Sequence, residues 1–292
     1  MKFTFNAKEE LDRILEFIRK SADGEKVVVP VSGGLDSDVV ARLCAMAIGT
    51  DRLRIFIVRQ NGLEEKYVAN ALNLAEDIGV ELSMISLGNM NIRLIQALHE
   101  AAPNENFQPD SLLDPARAYC SLRTAIISTY QDKGYLVSGN SNRTEAELGF
   151  FLPFGDNLGH FKPIVHLYKT EVKMLAKLIK CRDEVISQQP SAGFWKDEND
   201  LEDIAFWIYN KGPVQGGRVF SDEECEKVYQ IVPFLSHEKI DGCLMGINAG
   251  MTDTQISKDI ELPEDIVQAI RTIKCKASLT KNRPLLTSLE RM

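Results

Sequence analysis

The stretch Val27-Val28-Val29-Pro30-Val31-Ser32-Gly33-Gly34-Leu35-Asp36-Ser37-Asp38 constrains this chain more than any other. An apolar, β-branched run gives way to a Ser/Gly turn and then to an acidic, hydroxylic helix start. A parallel strand built this way delivers an anion, typically a phosphate, to a helix N-terminus. The two glycines let backbone N–H groups approach where a Cβ would obstruct them. Asp36 adds a carboxylate that suits a metal beside phosphates. The loop lacks the G-K-[ST] ending of a Walker A motif. The competing reading is a strand–turn–helix joint without a ligand.

The rest of the chain sets that loop in an alternating pattern. Leu11, Ile14, Leu15 and Ile18 predict an amphipathic helix over 7–20. Strands are expected at 26–31, 53–58, 82–87 and 135–138, with helices at 37–48, 64–78, 90–100 and 117–131 between them. Residues 101–115, with three prolines and no clear period, read as a surface loop. This alternation predicts an α/β protein with a doubly wound parallel sheet. Ligands then sit at the carboxyl ends of the strands, where Ser32-Gly33-Gly34 and Gly139-Asn140-Ser141 both emerge. Beyond Thr170 the chain reads as a helical C-terminal extension, with helices near 170–180, 200–210, 221–233, 252–260 and 263–273. Residues 186–200 read as a polar loop, and 231–250 carry no assignment. The expected division is a nucleotide-binding domain over 1–210 and a helical segment over 211–292.

The 292 residues carry a formal net charge of −8, which argues against a general nucleic-acid or membrane surface. Six scattered cysteines without C-x-x-C spacing read as reduced thiols. No apolar run reaches the ~18 residues of a membrane span, and residues 1–6 lack a signal-peptide core. The expectation is a cytoplasmic protein.

A second motif joins the first: Gly139-Asn140-Ser141-Asn142-Arg143-Thr144-Glu145, then Gly149-Phe150-Phe151, Gly155-Asp156, Pro163 and Leu167-Tyr168-Lys169-Thr170-Glu171. The wording S-G-G-x-D-S resembles the PP-loop of ATP pyrophosphatases. With the second motif, the chain from about residue 10 to 210 resembles the ammonia-dependent NAD synthetases, with a weaker echo in Lys281-Asn282-Arg283-Pro284. The resemblance implies a Rossmann-like fold of the adenine nucleotide alpha-hydrolase kind. It also implies a reaction: ATP adenylates the carboxylate of deamido-NAD, pyrophosphate leaves, and ammonia displaces AMP to give the amide.

The same resemblance assigns parts. Residues matching Ser32, Gly33, Gly34 and Ser37 cradle pyrophosphate, and those matching Asp36 and Glu145 hold Mg²⁺. Lys169 and Ser191 match a lysine and a hydroxyl on ATP phosphates; with Asp36 they are the candidate catalytic residues. A lysine at a helix start is disfavoured by the dipole, which supports a phosphate role. Arg59 and Arg123 are candidate nucleotide contacts, and Asn140 stands where the family has a threonine. The alternatives are a solvated acid at Glu145, a surface lysine at Lys169 and a solvent-facing arginine at Arg59. Of the family's two arginines here, spacing favours Arg123 as the second; the first is missing unless Arg117 reaches in.

Departures gather on the acceptor side. The family's second acid in this loop is His160 here, while Asp156 keeps the first, and Gln188-Gln189 precede Pro190-Ser191 where a basic residue is usual. Asp156 and His160 are therefore the candidate acceptor contacts, His160 with preference for an anionic group; its alternative is a structural loop histidine. Competing functions are an amidating ligase for another carboxylate, a sulfur transferase using Cys120, and a catalytically silent nucleotide-binding module. With no glutaminase segment visible, ammonia is expected free or from a separate glutaminase subunit. The family resemblance implies a homodimer.

Overall fold

The computed structural model describes residues 5–59, 63–152, 155, 157–191, 199–214 and 218–281. Four parallel strands form the sheet: β1 (Lys26–Pro30), β2 (Leu53–Arg59), β3 (Leu82–Ser86) and β4 (Tyr135–Val137), in the order β3-β2-β1-β4. Val27 stands opposite both Leu53 and Leu136. Val27, Val28 and Val29 have no exposed surface, as a strand covered on both faces requires. Val27 and Val29 face helices α1 (Ala7–Ala22), α2 (Leu35–Ile48) and α7 (Lys169–Leu178); Val28 faces Tyr119 and Ile127 of α5 (Leu113–Gln131). Helices α3 (Glu65–Ile78) and α4 (Met90–Ala101) complete the crossovers.

The predicted alternation is thus observed, with instructive shifts at the ends. Helix α2 begins at Leu35, two residues before the expected start, because Gly34 supplies its extended N-cap. Helix α5 begins at Leu113, inside the expected loop. Pro115 falls within its first turn, where a missing N–H costs no helical bond.

After β1 the chain winds through β2 and β3, then returns to β1's other side as β4. The switch point therefore lies between β1 and β4. Beyond β4, Ser138 makes a single parallel bridge to Phe161, and Gly139 N–H donates to the Phe161 carbonyl at 2.9 Å. This return is tight: a Cβ on Gly159 would lie 2.6 Å from the Gly139 nitrogen.

A second core lies under the C-terminal half. Helices α9 (Asp200–Asn210), α10 (Asp222–Tyr229), α11 (His237–Asn248), α12 (Asp253–Ile260) and α13 (Glu264–Lys281) bury Ile204, Ile208, Ile240, Leu244 and Ile270 together. Leu148 of the short helix α6 (Arg143–Leu148) and Tyr168 join that cluster, so the second motif's helix is packed by the bundle. Helix α8 (Asp183–Ser187) leads into the 188–191 segment. Among the described residues no helix is long and apolar enough to cross a membrane.

Candidate active site

The carboxyl ends of β1 and β4 open into a cavity of ≈ 510 Å³, a size suited to a nucleotide-scale ligand. Its floor is the glycine loop. Ser37 Oγ accepts from Ser32 N at 3.0 Å and donates to the Gly34 carbonyl at 3.0 Å; Ser32 Oγ accepts from Gly34 N at 3.2 Å. The serines thus shape the turn before any ligand arrives. Gly33 has φ +78°, and a Cβ there would lie 2.1 Å from the Tyr67 carbonyl oxygen. The glycine is therefore needed for packing against α3 as well as for its backbone conformation. Asn70, also on α3, donates to the Gly33 carbonyl at 2.9 Å and to Gln188 Oε1 at 2.7 Å.

Asp36, on the first turn of α2, forms an ion pair with Lys169, the first residue of α7. Lys169 is buried. Burial alone would lower its pKa, but the carboxylates of Asp36, Glu145 and Asp200 reverse the effect and hold it above the usual lysine range. Glu145 closes a capping box on α6: Asn142 Oδ1 accepts from Glu145 N at 3.0 Å. Asn142 Nδ2 lies 2.7 Å from Glu145 Oε1 and 3.4 Å from Asp36 Oδ1, so one amide spans the two carboxylates. Two neighbouring carboxylates with lone pairs to spare fit Mg²⁺, which takes one or two protein carboxylates and completes its shell with phosphates and water.

The bundle supports this cluster from below. Asp241 of α11 is wholly buried. It accepts from Thr144 Oγ1 at 2.5 Å, from Thr170 N at 2.9 Å and from Thr170 Oγ1 at 2.8 Å. Thr144 Oγ1 in turn accepts from Lys169 N at 3.0 Å. Burial raises Asp241 to about 6, with the threonine donors pulling the other way. One helical turn away, burial and the charges of Lys169 and Lys173 lower His237 to about 3.

Ser32, Gly34, Asp36, Ser37, Arg123, Asn140, Glu145, Lys169 and Ser191 all line the cavity, and Gly33 sits within the loop between them. Asn140 is turned toward the sheet: its Nδ2 donates to the Pro30 carbonyl at 2.6 Å and ties the two loops together. Arg117 also lines the cavity, its guanidinium donating to the Val214 carbonyl at 2.5 Å. Both arginines therefore reach it. Cys120 is buried in the same wall.

Two of the expected site residues stand apart from the cavity lining among the described residues. Arg59 lies outside the cavity lining and is paired with Glu65 at 2.7 Å on the exposed end of β2. His160 is also outside the lining. Its Nδ1 accepts from Val137 N at 2.9 Å, so the ring braces the end of β4 as a loop histidine does. Asp156 and the segments 192–198 and 282–284 lie outside the described residues.

Sequence reasoning missed an aromatic wall. Phe150 meets Trp207 edge-on at 5.1 Å, Phe206 meets Phe220 at 4.8 Å, and the Arg218 guanidinium stacks on Phe220 at 4.5 Å. These residues line the cavity too. Phe206 and Trp207 read as core positions of an apolar helix, and nothing in their spacing separates the two roles. His237 and Asp241 fall in the stretch to which the sequence gives no assignment, although their i, i+4 spacing marks one helix face.

Known proteins share this sequence and this fold. An NH3-dependent NAD+ synthetase of Archaeoglobus fulgidus is 29% identical over 245 residues, 80% of this chain and 95% of that protein. One from Methanocaldococcus jannaschii is 32% identical over 200 residues, 67% of this chain and 75% of its own length. Among solved structures, an NMN synthetase from Francisella tularensis shares the fold with a TM-score of 0.71 at 21% identity, over 98% of this chain and 100% of that one. The sequence model of the NAD synthase family matches residues 8–210, the span that carries both glycine loops, Asp36, Glu145 and Lys169. The chain belongs to the NAD synthase family.

Proposed function

We propose that this protein is an AMP-forming, ammonia-dependent NAD synthetase, which adenylates the carboxylate of deamido-NAD with ATP and converts it to the amide. The observation that carries the reading is the ion pair between Asp36 and the buried Lys169, set where the glycine loop and the second motif meet one cavity. A carboxylate is a poor acyl donor, so its oxygen first attacks the α-phosphorus of ATP and pyrophosphate departs. The leaving charge falls on the glycine loop, the N-terminus of α2 and the Lys169 ammonium. These groups are already oriented and partly dehydrated, which is the condition for stabilising charge as it develops. Ser191 and Arg123 stand on the same cavity and serve as further phosphate contacts. Mg²⁺ bound by Asp36 and Glu145 would neutralise phosphate charge beside the loop. The aromatic wall of Phe150, Trp207 and Phe220, with Arg218, offers flat and cationic surface for the acceptor's ring and phosphates. A homodimer, and ammonia taken free or from a separate glutaminase subunit, complete the proposal.

A second reading, an amidating ligase for a different carboxylate, is favoured by Asn140. It replaces the family's threonine and is spent on the Pro30 carbonyl, while its buried Oδ1 has no partner among the described residues. One assay separates the two. Pyrophosphate release is measured with ATP, Mg²⁺ and ammonium, with and without deamido-NAD. Release that depends on deamido-NAD, with NAD formed in equal amount and lost in Asp36→Ala, is the expected result. No stimulation by deamido-NAD, with ATP still bound, would overturn the first reading and favour the second.

A further inference from the structure

Helix α8 has only five residues, yet one face of α3 holds both of its ends. Its C-cap, Gln188, accepts from Asn70 Nδ2 at 2.7 Å, and the same amide donates to the Gly33 carbonyl at 2.9 Å. Its N-cap, Arg182, meets the Asp77 carboxylate with two nitrogens: Nη2 donates to Oδ1 at 2.6 Å and Nε to Oδ2 at 3.0 Å. Asp77 Oδ2 also accepts from Arg42 Nη2 of α2 at 2.6 Å, and Arg42 Nε donates to the buried Asp38 at 2.6 Å. Asn70 and Asp77 stand two turns apart on one side of α3. Each therefore joins the phosphate-loop side, through Gly33 or through α2, to one end of α8.

Two ties at the two ends of a short helix fix its direction as well as its place. Val185, between them, is buried and lines the cavity. Ser191 lines it too, and three residues of chain beyond Gln188 reach no further than about 10 Å. Pro190 also narrows the backbone freedom of Gln189. Where α8 lies thus decides where the Ser191 hydroxyl can stand. The Arg182 and Asp77 side chains are 34% and 24% exposed. An ion pair this open to solvent adds little to stability; what its two-point contact supplies is direction. Arg182 and Arg42 hold the Asp77 carboxyl down at about 2, so the anchor stays charged throughout the physiological range.

We propose that Arg182 is a positioning residue of the ATP site: docked on Asp77, it fixes α8 and thereby sets Ser191 beside the glycine loop before nucleotide binds. The inference rests on the reading of Ser191 as a phosphate contact. Removing the guanidinium frees one end of α8 while Asn70 still holds the other, so the arm pivots without detaching. ATP then meets a hydroxyl that must be ordered as it binds, and the cost appears in affinity for the phosphates.

Calorimetry with Mg²⁺-ATP tests this without an acceptor, so the result does not depend on which carboxylate is amidated. Arg182→Gln is expected to weaken ATP binding about fivefold to tenfold. Adenosine, which lacks the phosphates, is expected to keep its Kd within about twofold. The urea midpoint should hold, because Asp77 keeps Arg42. Arg182→Lys, with the charge but not the fork, is expected to recover part of the affinity. In a Ser191→Ala background, Arg182→Gln should add less than about twofold, since the two residues act as one unit. Equal losses for ATP and adenosine, an unchanged ATP affinity in Arg182→Gln, or the same factor with and without Ser191 would overturn the proposal and leave a structural link only. If Arg182→Gln fails to fold, the same cycle run with Arg182→Lys decides the matter in the same way. Ser191→Ala binding ATP as tightly as the unchanged protein would instead defeat the phosphate-contact reading, and this inference with it.

Discussion

The glycine loop and the Lys169–Glu145 side of the cavity hold their groups by opposite means. In the loop nearly every tether is local: Ser32 to Ser37, Ser32 to Gly34, and Ser37 back to the Gly34 carbonyl. On the other side, Thr144 and Thr170 are gathered by Asp241, 97 and 71 residues further along the chain. One side is a short-range turn that the sheet presents; the other exists only when a helical bundle has docked beneath it. The two sides meet in one ion pair, Asp36–Lys169. The phosphate side therefore depends on local backbone geometry, and the cation side on long-range burial.

The largest effect is expected from Gly33→Ala, which attacks the local side. A Cβ at φ +78° and 2.1 Å from a main-chain oxygen cannot be absorbed by a side-chain rotation. Urea denaturation should register a loss of about 3 kcal/mol or more, and calorimetry a loss of ATP binding. A variant with normal stability and normal ATP affinity would mean that the loop is not rigid before the ligand binds.

Asp241→Asn tests the distant side through pH. Burial raises Asp241 from 3.8 to about 6, so the folded state keeps a proton that the unfolded chain has already released. Its contribution is fully present below the ordinary carboxylate value and is lost as pH rises through about 6. His237 runs the other way. Lowered from 6.5 to about 3, it contributes a term that is absent at low pH and grows as pH rises toward 6.5. Removing the Asp241 carboxyl leaves the His237 term unopposed. The stability of Asp241→Asn should therefore climb more steeply between pH 4 and 6 than that of the unchanged protein, by about 1–3 kcal/mol over the window. Parallel urea midpoints across that window would show that Asp241 does not titrate there.

Arg59→Ala should have the smallest effect. Its partner Glu65 is mostly exposed and the pair spans solvent, so stability should move by less than about 0.5 kcal/mol. The KM for ATP should stay within about twofold, since Arg59 lies outside the cavity. A large rise in that KM would return Arg59 to the nucleotide site and show that the end of β2 closes over the ligand.

The same contrast explains what the sequence revealed. Strand β1, the glycine turn and α2 are legible because their signals are adjacent: three valines, a Ser/Gly turn and an acidic helix start. Lys169 and Glu145 are legible through the words around them. Arg117 is undecidable from spacing alone, because a helix places residues six apart on different faces and only packing shows that both it and Arg123 reach the cavity. His160 has two readings in the sequence, since it replaces an acid beside a glycine turn, and the hydrogen bond from Val137 ties its ring to the strand end. Helix α11 escapes notice because Gly242 and Gly246 interrupt its helical signal. In the fold those glycines let α12 come close, since a Cβ at Gly246 would lie 2.7 Å from the Ile256 side chain. The support that Asp241 gives to Lys169 is a property of docking and has no local signature.

Asn70 has a further consequence. One side-chain amide holds both the Gly33 carbonyl and the Gln188 side chain, so the phosphate turn and the stretch leading to Ser191 share a single fastener. A chimera that imports residues 188–191 from a relative inherits a mismatch at position 70 unless that residue travels with them. The glycine turn and that stretch are thereby linked through one side chain, and neither can be redesigned as though the other were fixed.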